Sequence, residues 1–311
     1  MALAFVFPGQ GSQSVGMLAD LAERHPLVTD TFAEASSALG IDLWQIARQG
    51  PEAELNRTQI TQPAMLAAGI AVWRVWQQQG GAMPDWLAGH SLGEYSALVA
   101  AGSIDFSAAI SLVALRGRLM QEAVPDGQGA MAALLGLDDD AVRALCAEAQ
   151  GDEVVEAVNY NAPGQVVVAG NAAAVERVVA QAKGAGARRA VMLPVSVPSH
   201  CALMRPAAER LAEALAAVAI TPPQIPVLHN VDVARHDDAD GIRAALAGQL
   251  YRPVRWVETV QALAAAGVDR LIEAGPGRVL AGLNKRIDKA MVAAAVFDTD
   301  SLAKAIGEED A

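Results

Sequence analysis

The chain opens on an unbroken apolar run, Ala2 to Phe7, stopped by Pro8-Gly9, and a short run bounded by a turn predicts a buried first strand. The glycine-rich loop Pro8-Gly9-Gln10-Gly11-Ser12-Gln13 follows, and helical periodicity then dominates. Thr61 to Gln79 carries Ala, Leu, Met and Trp on all its faces and stops at Gly80-Gly81, which predicts an interior helix. Trp86-Leu87-Ala88 reads as a short buried strand, with a helix beginning at Leu92. Phe106 to Ala123 is a further long helix, ended by Pro125-Asp126-Gly127.

From 129 to 193 the texture changes, as short apolar runs alternate with helical stretches. Ala130 to Leu135, a helix from Asp138, Val154 to Val158, Val166 to Ala169, a helix Ala172 to Lys183 and Arg189 to Leu193 give strand, helix, strand, strand, helix, strand. That is the ferredoxin-like order. Asp138-Asp139-Asp140 sits where a helix needs an N-cap and favourable dipole charge, so capping outweighs metal binding. Beyond Pro194 the chain returns to longer helices, Cys201 to Val218 and Val279 to Lys289, with buried strands Asp269 to Glu273 and Met291 to Phe297. The expectation is an α/β fold with a hydrolase-like large domain and a central, mostly parallel sheet. That domain is discontinuous, 1–127 and 195–311, with a small ferredoxin-like α+β domain inserted at 128–194 and a cleft between them.

Length and composition set limits on this picture. With 311 residues, 53% of them hydrophobic, core-forming material is ample. A formal charge of −12 argues against general nucleic-acid binding, and any polyanionic partner needs a local basic patch. The two cysteines, Cys146 and Cys201, have no metal-ligand spacing and suit free thiols in the cytoplasm. No apolar run approaches the roughly 18 residues of a membrane span, and Ala2 to Phe7 lacks the basic flank of a signal peptide.

Gly89-His90-Ser91-Leu92-Gly93 has the Gly-x-Ser-x-Gly form of a nucleophile elbow, with a strand before it and a helix after it. The bland alternative is a tight turn built from small residues. A serine nucleophile needs a base, and there are five histidines. His25 and His229 lack site context, and His236 lies in a polar stretch. His90 should face away from its neighbour, as adjacent strand residues do. His200, after Pro198-Ser199 at a helix start, is the remaining candidate, with helix capping as its alternative. No Asp or Glu between Ser91 and His200 stands in a loop after a strand, which counts against an ordinary esterase and leaves a backbone or amide oxygen to orient the imidazole. Arg116 shares a helix face with Leu112, Leu119 and Met120, so it requires an anion, either an internal carboxylate or a substrate's. Arg118 instead meets Glu122 at i+4, as a surface pair.

Six stretches together resemble the malonyl-CoA:acyl carrier protein transacylases: Phe7 to Gln13, Thr61-Gln62-Pro63-Ala64, Gly89 to Tyr95, Asn159 to Gln165, Pro198-Ser199-His200 and Glu273 to Gly277. They fall in the family's order from residue 5 to beyond 280. The resemblance implies Ser91 as acyl acceptor, His200 as base, the Gln249 backbone carbonyl as its orienter, and the Gln10 and Leu92 amides as oxyanion hole. It also implies Arg116 as the clamp for the malonyl carboxylate, with Gln62 beside it and Ser199 as a malonyl-selective feature. Malonyl-CoA and an acidic acyl carrier protein would be the partners in fatty-acid synthesis, with no metal or cofactor. Arg278, Lys285, Arg286 and Lys289 would supply the docking surface, Lys285 and Lys289 as an i, i+4 helix pair, with Arg188-Arg189 as a second candidate and a plain solvated face as the alternative. Rival readings are a related transacylase of malonate decarboxylation or polyketide assembly, and a serine esterase or thioesterase. A nucleotide-binding module fits poorly, because Gly275-Pro276-Gly277 and Gly282 miss the dinucleotide-binding spacing.

Overall fold

The computed structural model describes residues 2–195 and 197–307, so the last four residues of the expected large domain lie outside the described residues. Five strands, β1 (Ala2–Phe7), β2 (Trp86–Gly89), β7 (Val227–Leu228), β8 (Val268–Ala274) and β9 (Val292–Val296), form one sheet in the order β7-β2-β1-β8-β9. Every pairing in it is parallel. Parallel strands are covered on both faces, and β1 shows how its sequence meets that demand. Phe5 and Phe7 point into the larger core, where Phe5 meets Trp73 and Trp76 edge-on at 5.3 and 5.0 Å. Ala4 and Val6 point the other way, into a second cluster around Trp256, Val260 and Leu280. The interior helix spans Thr58–Gln78, starting three residues before the expected one, and is buried along nearly its whole length.

The second sheet is antiparallel, with β3 (Gly129–Leu135), β4 (Val155–Ala162), β5 (Gln165–Asn171) and β6 (Arg189–Met192) in the order β4-β5-β3-β6. Helices Asp139–Ala149 and Ala172–Ala182 cover one face, giving it a core of its own. This is the ferredoxin-like arrangement, and Asp138 caps the first helix by accepting a 2.7 Å hydrogen bond from the Ala141 amide. The other face packs Met131, Val158, Val167 and Ala169 against Cys201. Strand β4 also exchanges backbone bonds with Val254, Tyr160 N to Val254 O at 3.0 Å and Val254 N to Val158 O at 2.8 Å, so the two sheets' surroundings are joined along one edge.

Two further helix boundaries differ from expectation by more than one residue. The helix placed at Cys201 begins as a single 3-10 turn, Ala202–Met204, and becomes α-helical only at Arg205–Ala217, where Pro206 occupies the first turn that suits proline. The Val279 helix ends at Ile287, because Asp288 adopts an extended conformation with φ −132°. Lys289 therefore lies outside the helix and makes no i, i+4 pair there with Lys285. Cys146 and Cys201 are free and buried, and burial pushes both thiols up to about 12. No helix among the described residues is long and apolar enough to cross a membrane.

Candidate active site

Strand β2 ends at Gly89 and the next helix, Gly93–Ala100, begins four residues later, so the chain must turn within the three residues centred on Ser91. Ser91 does so at φ 52°, in the left-handed region that side chains rarely adopt. The flanking glycines are required by close contact with neighbouring backbone. A Cβ on Gly89 would stand 1.9 Å from the Gly93 carbonyl carbon, and one on Gly93 would stand 2.0 Å from the Phe7 carbonyl oxygen. Asn230, just past the end of β7, fixes the elbow from below. Its Oδ1 accepts from the Ser91 amide at 2.7 Å and its Nδ2 donates to the Gly89 carbonyl at 2.6 Å.

His200 reaches the serine from a turn after Ser199, also at positive φ, 69°, with its amide donating to Leu250 O. Its Nε2 lies 2.8 Å from Ser91 Oγ and its Nδ1 lies 2.7 Å from the Gln249 carbonyl. That carbonyl ends the Ala239–Gln249 helix and is one of the acceptors a helix terminus leaves without an internal partner. A carbonyl only accepts, so Nδ1 carries the proton and a neutral Nε2 is left to take the serine's. Burial first, and the Arg116 charge second, push the imidazole down to about 3, so it is neutral at ordinary pH.

Arg116 comes from the buried face of the Phe106–Ala123 helix, whose start is capped by Asp105 accepting from the Ala108 amide at 2.9 Å. It is 1% exposed. Nη1 donates to Gln62 Oε1 and Nη2 to Gln249 Oε1, each at 2.8 Å, and Nη2 is 3.4 Å from Ser91 Oγ. Among the described residues it forms no ion pair, so the internal salt bridge considered from sequence is not what holds it. Burial lowers its affinity for the proton, and its Nε has no hydrogen-bond partner among the described residues. By contrast Arg118 makes the expected exposed pair with Glu122, at 3.8 Å.

These groups floor a cleft whose opposite wall comes from the small sheet and the irregular segment leaving it, through Met131, Asn159, Leu193 and Val195. Gln10, Leu92 and Ser199 also line it. The Leu92 amide stands at the N-terminus of a helix, and among the described residues neither it nor the Gln10 amide donates to a protein acceptor. His90 lines the cleft too, instead of turning away from it. The elbow is not regular strand, so alternation fails there, and His90 Nε2 settles 2.8 Å from Asn161 Oδ1 with its ring tilted over Trp256.

Sequence reasoning missed the layer beneath. Glu94 is fully buried, with Oε1 2.7 Å from His229 Nδ1, and Oε2 accepting from the Asn230 amide and Gln249 Nε2, each at 2.9 Å. His229 thus has a site context after all. A lone carboxylate in an otherwise uncharged helix was the available signal, because its burial demands partners. Of the basic surface residues, Arg278, Lys285, Arg286 and Lys289 are all exposed, and Arg188 and Arg189 likewise. Arg286 is not free, since its guanidinium bonds Gln165 Oε1 and, at 3.1 Å, the Pro163 carbonyl at the β4–β5 turn.

Residues 4–297 match the acyl transferase domain family. A malonyl CoA-acyl carrier protein transacylase of Escherichia coli (strain K12) is 58% identical over 97% of this chain and 98% of its own. A solved acyl carrier protein S-malonyltransferase from Vibrio cholerae is 59% identical with a TM-score of 0.95, covering 98% of this chain and 99% of that one. A structure described as a type II PKS acyl-carrier protein in complex with its malonyl-transacylase matches at TM-score 0.98 and 58% identity, over 99% of this chain and 100% of that one.

Proposed function

The chain belongs to the acyl transferase domain family, among its malonyl-CoA:acyl carrier protein transacylases, and from that premise we propose how its residues divide the work. The enzyme moves the malonyl group from malonyl-CoA to the phosphopantetheine thiol of acyl carrier protein through a malonyl-serine intermediate, supplying malonyl units for fatty-acid synthesis. The observation that carries the assignment of roles is the convergence of Ser91 Oγ, His200 Nε2 at 2.8 Å and the Arg116 Nη2 at 3.4 Å in one cleft.

In the first half-reaction Ser91 Oγ attacks the thioester carbonyl and passes its proton to His200 Nε2. The Gln10 and Leu92 amides hold the tetrahedral oxyanion. The C–S bond then breaks, and the imidazolium returns its proton to the departing CoA thiolate. In the second half-reaction His200 takes the proton of the carrier's thiol, whose sulfur attacks the malonyl ester, and the proton goes back to Ser91 as the C–O bond breaks. The Gln249 carbonyl keeps the imidazole in the reactive tautomer throughout. Arg116, supported by Gln62, grips the free carboxylate of the acyl group, with Ser199 beside it. Holding the chain in this way leaves the ester waiting for a thiol in attack geometry. Exchange between two thiols is redox-neutral and every role is filled by side chains and amides, so we assign no cofactor. We place the protein in the cytoplasm, and divide it into a catalytic domain, 1–127 and 195–311, and an inserted domain, 128–194, on the strength of their separate cores. Docking of the acidic carrier is assigned to Arg278, Lys285, Arg286 and Lys289.

Intact-mass measurement after brief exposure to malonyl-CoA should show a single malonyl adduct on the wild type and none on Ser91→Ala. An adduct that survives in the variant removes Ser91 from the mechanism, and appreciable malonyl-CoA hydrolysis without carrier protein would turn the reading toward a thioesterase.

A further inference from the structure

Gln249 meets the site twice. Its carbonyl holds His200, while its side chain lies between Arg116 and Glu94. Gln249 Nε2 donates to the Ser91 carbonyl and to Glu94 Oε2, each at 2.9 Å, and Oε1 accepts from Arg116 Nη2 at 2.8 Å. Two acceptors on one side and a cation on the other leave the amide a single chemically sensible orientation. Reversing it would set an NH2 against the guanidinium and an oxygen against a carboxylate. Glu94 is itself fixed independently of Gln249, by His229 and the Asn230 amide. Gln62, the other amide on Arg116, has no such anchor among the described residues, where its Nε2 faces the weakly accepting Met120 sulfur at 3.6 Å.

We infer that the Gln249 side chain, oriented by Glu94, is a specificity-positioning residue that aims the Arg116 guanidinium at acyl groups ending in a carboxylate. It does so without neutralising the guanidinium in direct contact. Glu94 supplies the compensating charge at one remove, through a neutral amide, and the cation's remaining donors are kept for the substrate. A carboxylate at position 249 would instead satisfy Arg116 internally and compete with the acyl group. The inference rests on the assignment of Arg116 as the malonyl clamp.

The test compares kcat/KM for malonyl-CoA and acetyl-CoA, with holo acyl carrier protein as acceptor, in wild type, Gln249→Met, Gln249→Glu and Arg116→Ala. Gln249→Met keeps the main-chain carbonyl and the side-chain volume while deleting both amide contacts. It should lower the malonyl-to-acetyl ratio by about tenfold or more, the scale of one hydrogen bond to a charged group, chiefly through a higher KM for malonyl-CoA. Gln249→Glu should lose the preference as well, and it carries the test alone if the methionine variant does not fold. Equal losses for both donors in the position-249 variants, which is what a merely structural role or a displaced His200 would give, overturn the inference. If Arg116→Ala loses the preference and the position-249 variants keep it, the inference fails while the clamp stands. If Arg116→Ala keeps the preference, the clamp itself is wrong.

Discussion

The floor of the cleft and the outer face of the Val279–Ile287 helix both carry positive charge, yet they hold it in opposite ways. Arg116 is buried among Gln62, Gln249 and Tyr95, the last with its ring centroid 5.6 Å from the guanidinium carbon, and it has given up water for two neutral amides. Lys285 and Arg278 stand in solvent. A buried cation without a contacting carboxylate interacts strongly with any anion that arrives, because little solvent screens the pair. An exposed one contributes about 1 kcal/mol or less and is screened by salt. The cleft can therefore select a ligand by chemistry, while the helix face can only bias encounter.

The sharpest way to break this comparison is at His200, the base we propose. His200→Ala should slow malonyl adduct formation by roughly 10⁶-fold, the scale on which a hydroxyl nucleophile loses its proton acceptor. Rapid-quench mass measurement would read it, and a loss under tenfold would show that another group accepts the proton. The same site sets the pH response. The imidazole is held down to about 3 from its ordinary 6.5, so it binds protons less readily folded than unfolded. Its contribution to stability is then complete above about pH 6.5 and is lost as pH falls from there toward 3. Adduct formation should stay flat down through pH 6, and an acid limb centred near 6.5 would mean His200 titrates like an exposed imidazole.

Arg116→Ala comes next in size. Removing the guanidinium should cost malonyl transfer about a hundredfold, or ~3 kcal/mol, as expected for charge-assisted bonds in a dry site. Acetyl transfer has no carboxylate to lose and should fall far less. Equal falls for the two donors would reduce Arg116 to packing, and the contrast with the helix face would collapse.

What the sequence disclosed follows the same division. Strand β1, the interior helix and the ferredoxin-like order were legible because periodicity and turn residues fix them locally. Ser91, His200 and Arg116 could be singled out as candidates because each is a reactive or costly group in an unusual local setting, and the fold brings the three together. Glu94, His229 and Asn230 were not, since their meaning lies in contacts such as the 135-position separation between Glu94 and His229. His90 was misread because a strand rule was carried into an elbow, and Lys289 because charge periodicity ran past a helix whose end Asp288 had already set. Long-range hydrogen bonds leave no periodic trace.

The smallest effect belongs to the helix face. Lys285→Glu with Lys289→Glu should lower kcat/KM for the acidic carrier protein several-fold, from about 1 kcal/mol or less at each exposed charge, and leave the single-turnover malonyl adduct untouched. The loss should fade as salt rises, because the Debye length shrinks from about 8 Å at physiological ionic strength to about 3 Å at 1 M. Arg286 is the informative neighbour. Its guanidinium is committed to Pro163 and Gln165, so Arg286→Ala also releases the turn that joins β4 to β5 and should add a salt-independent component to its effect. If the double charge reversal leaves carrier transfer unchanged at low salt, the carrier docks elsewhere, with Arg188 and Arg189 as the next surface to reverse.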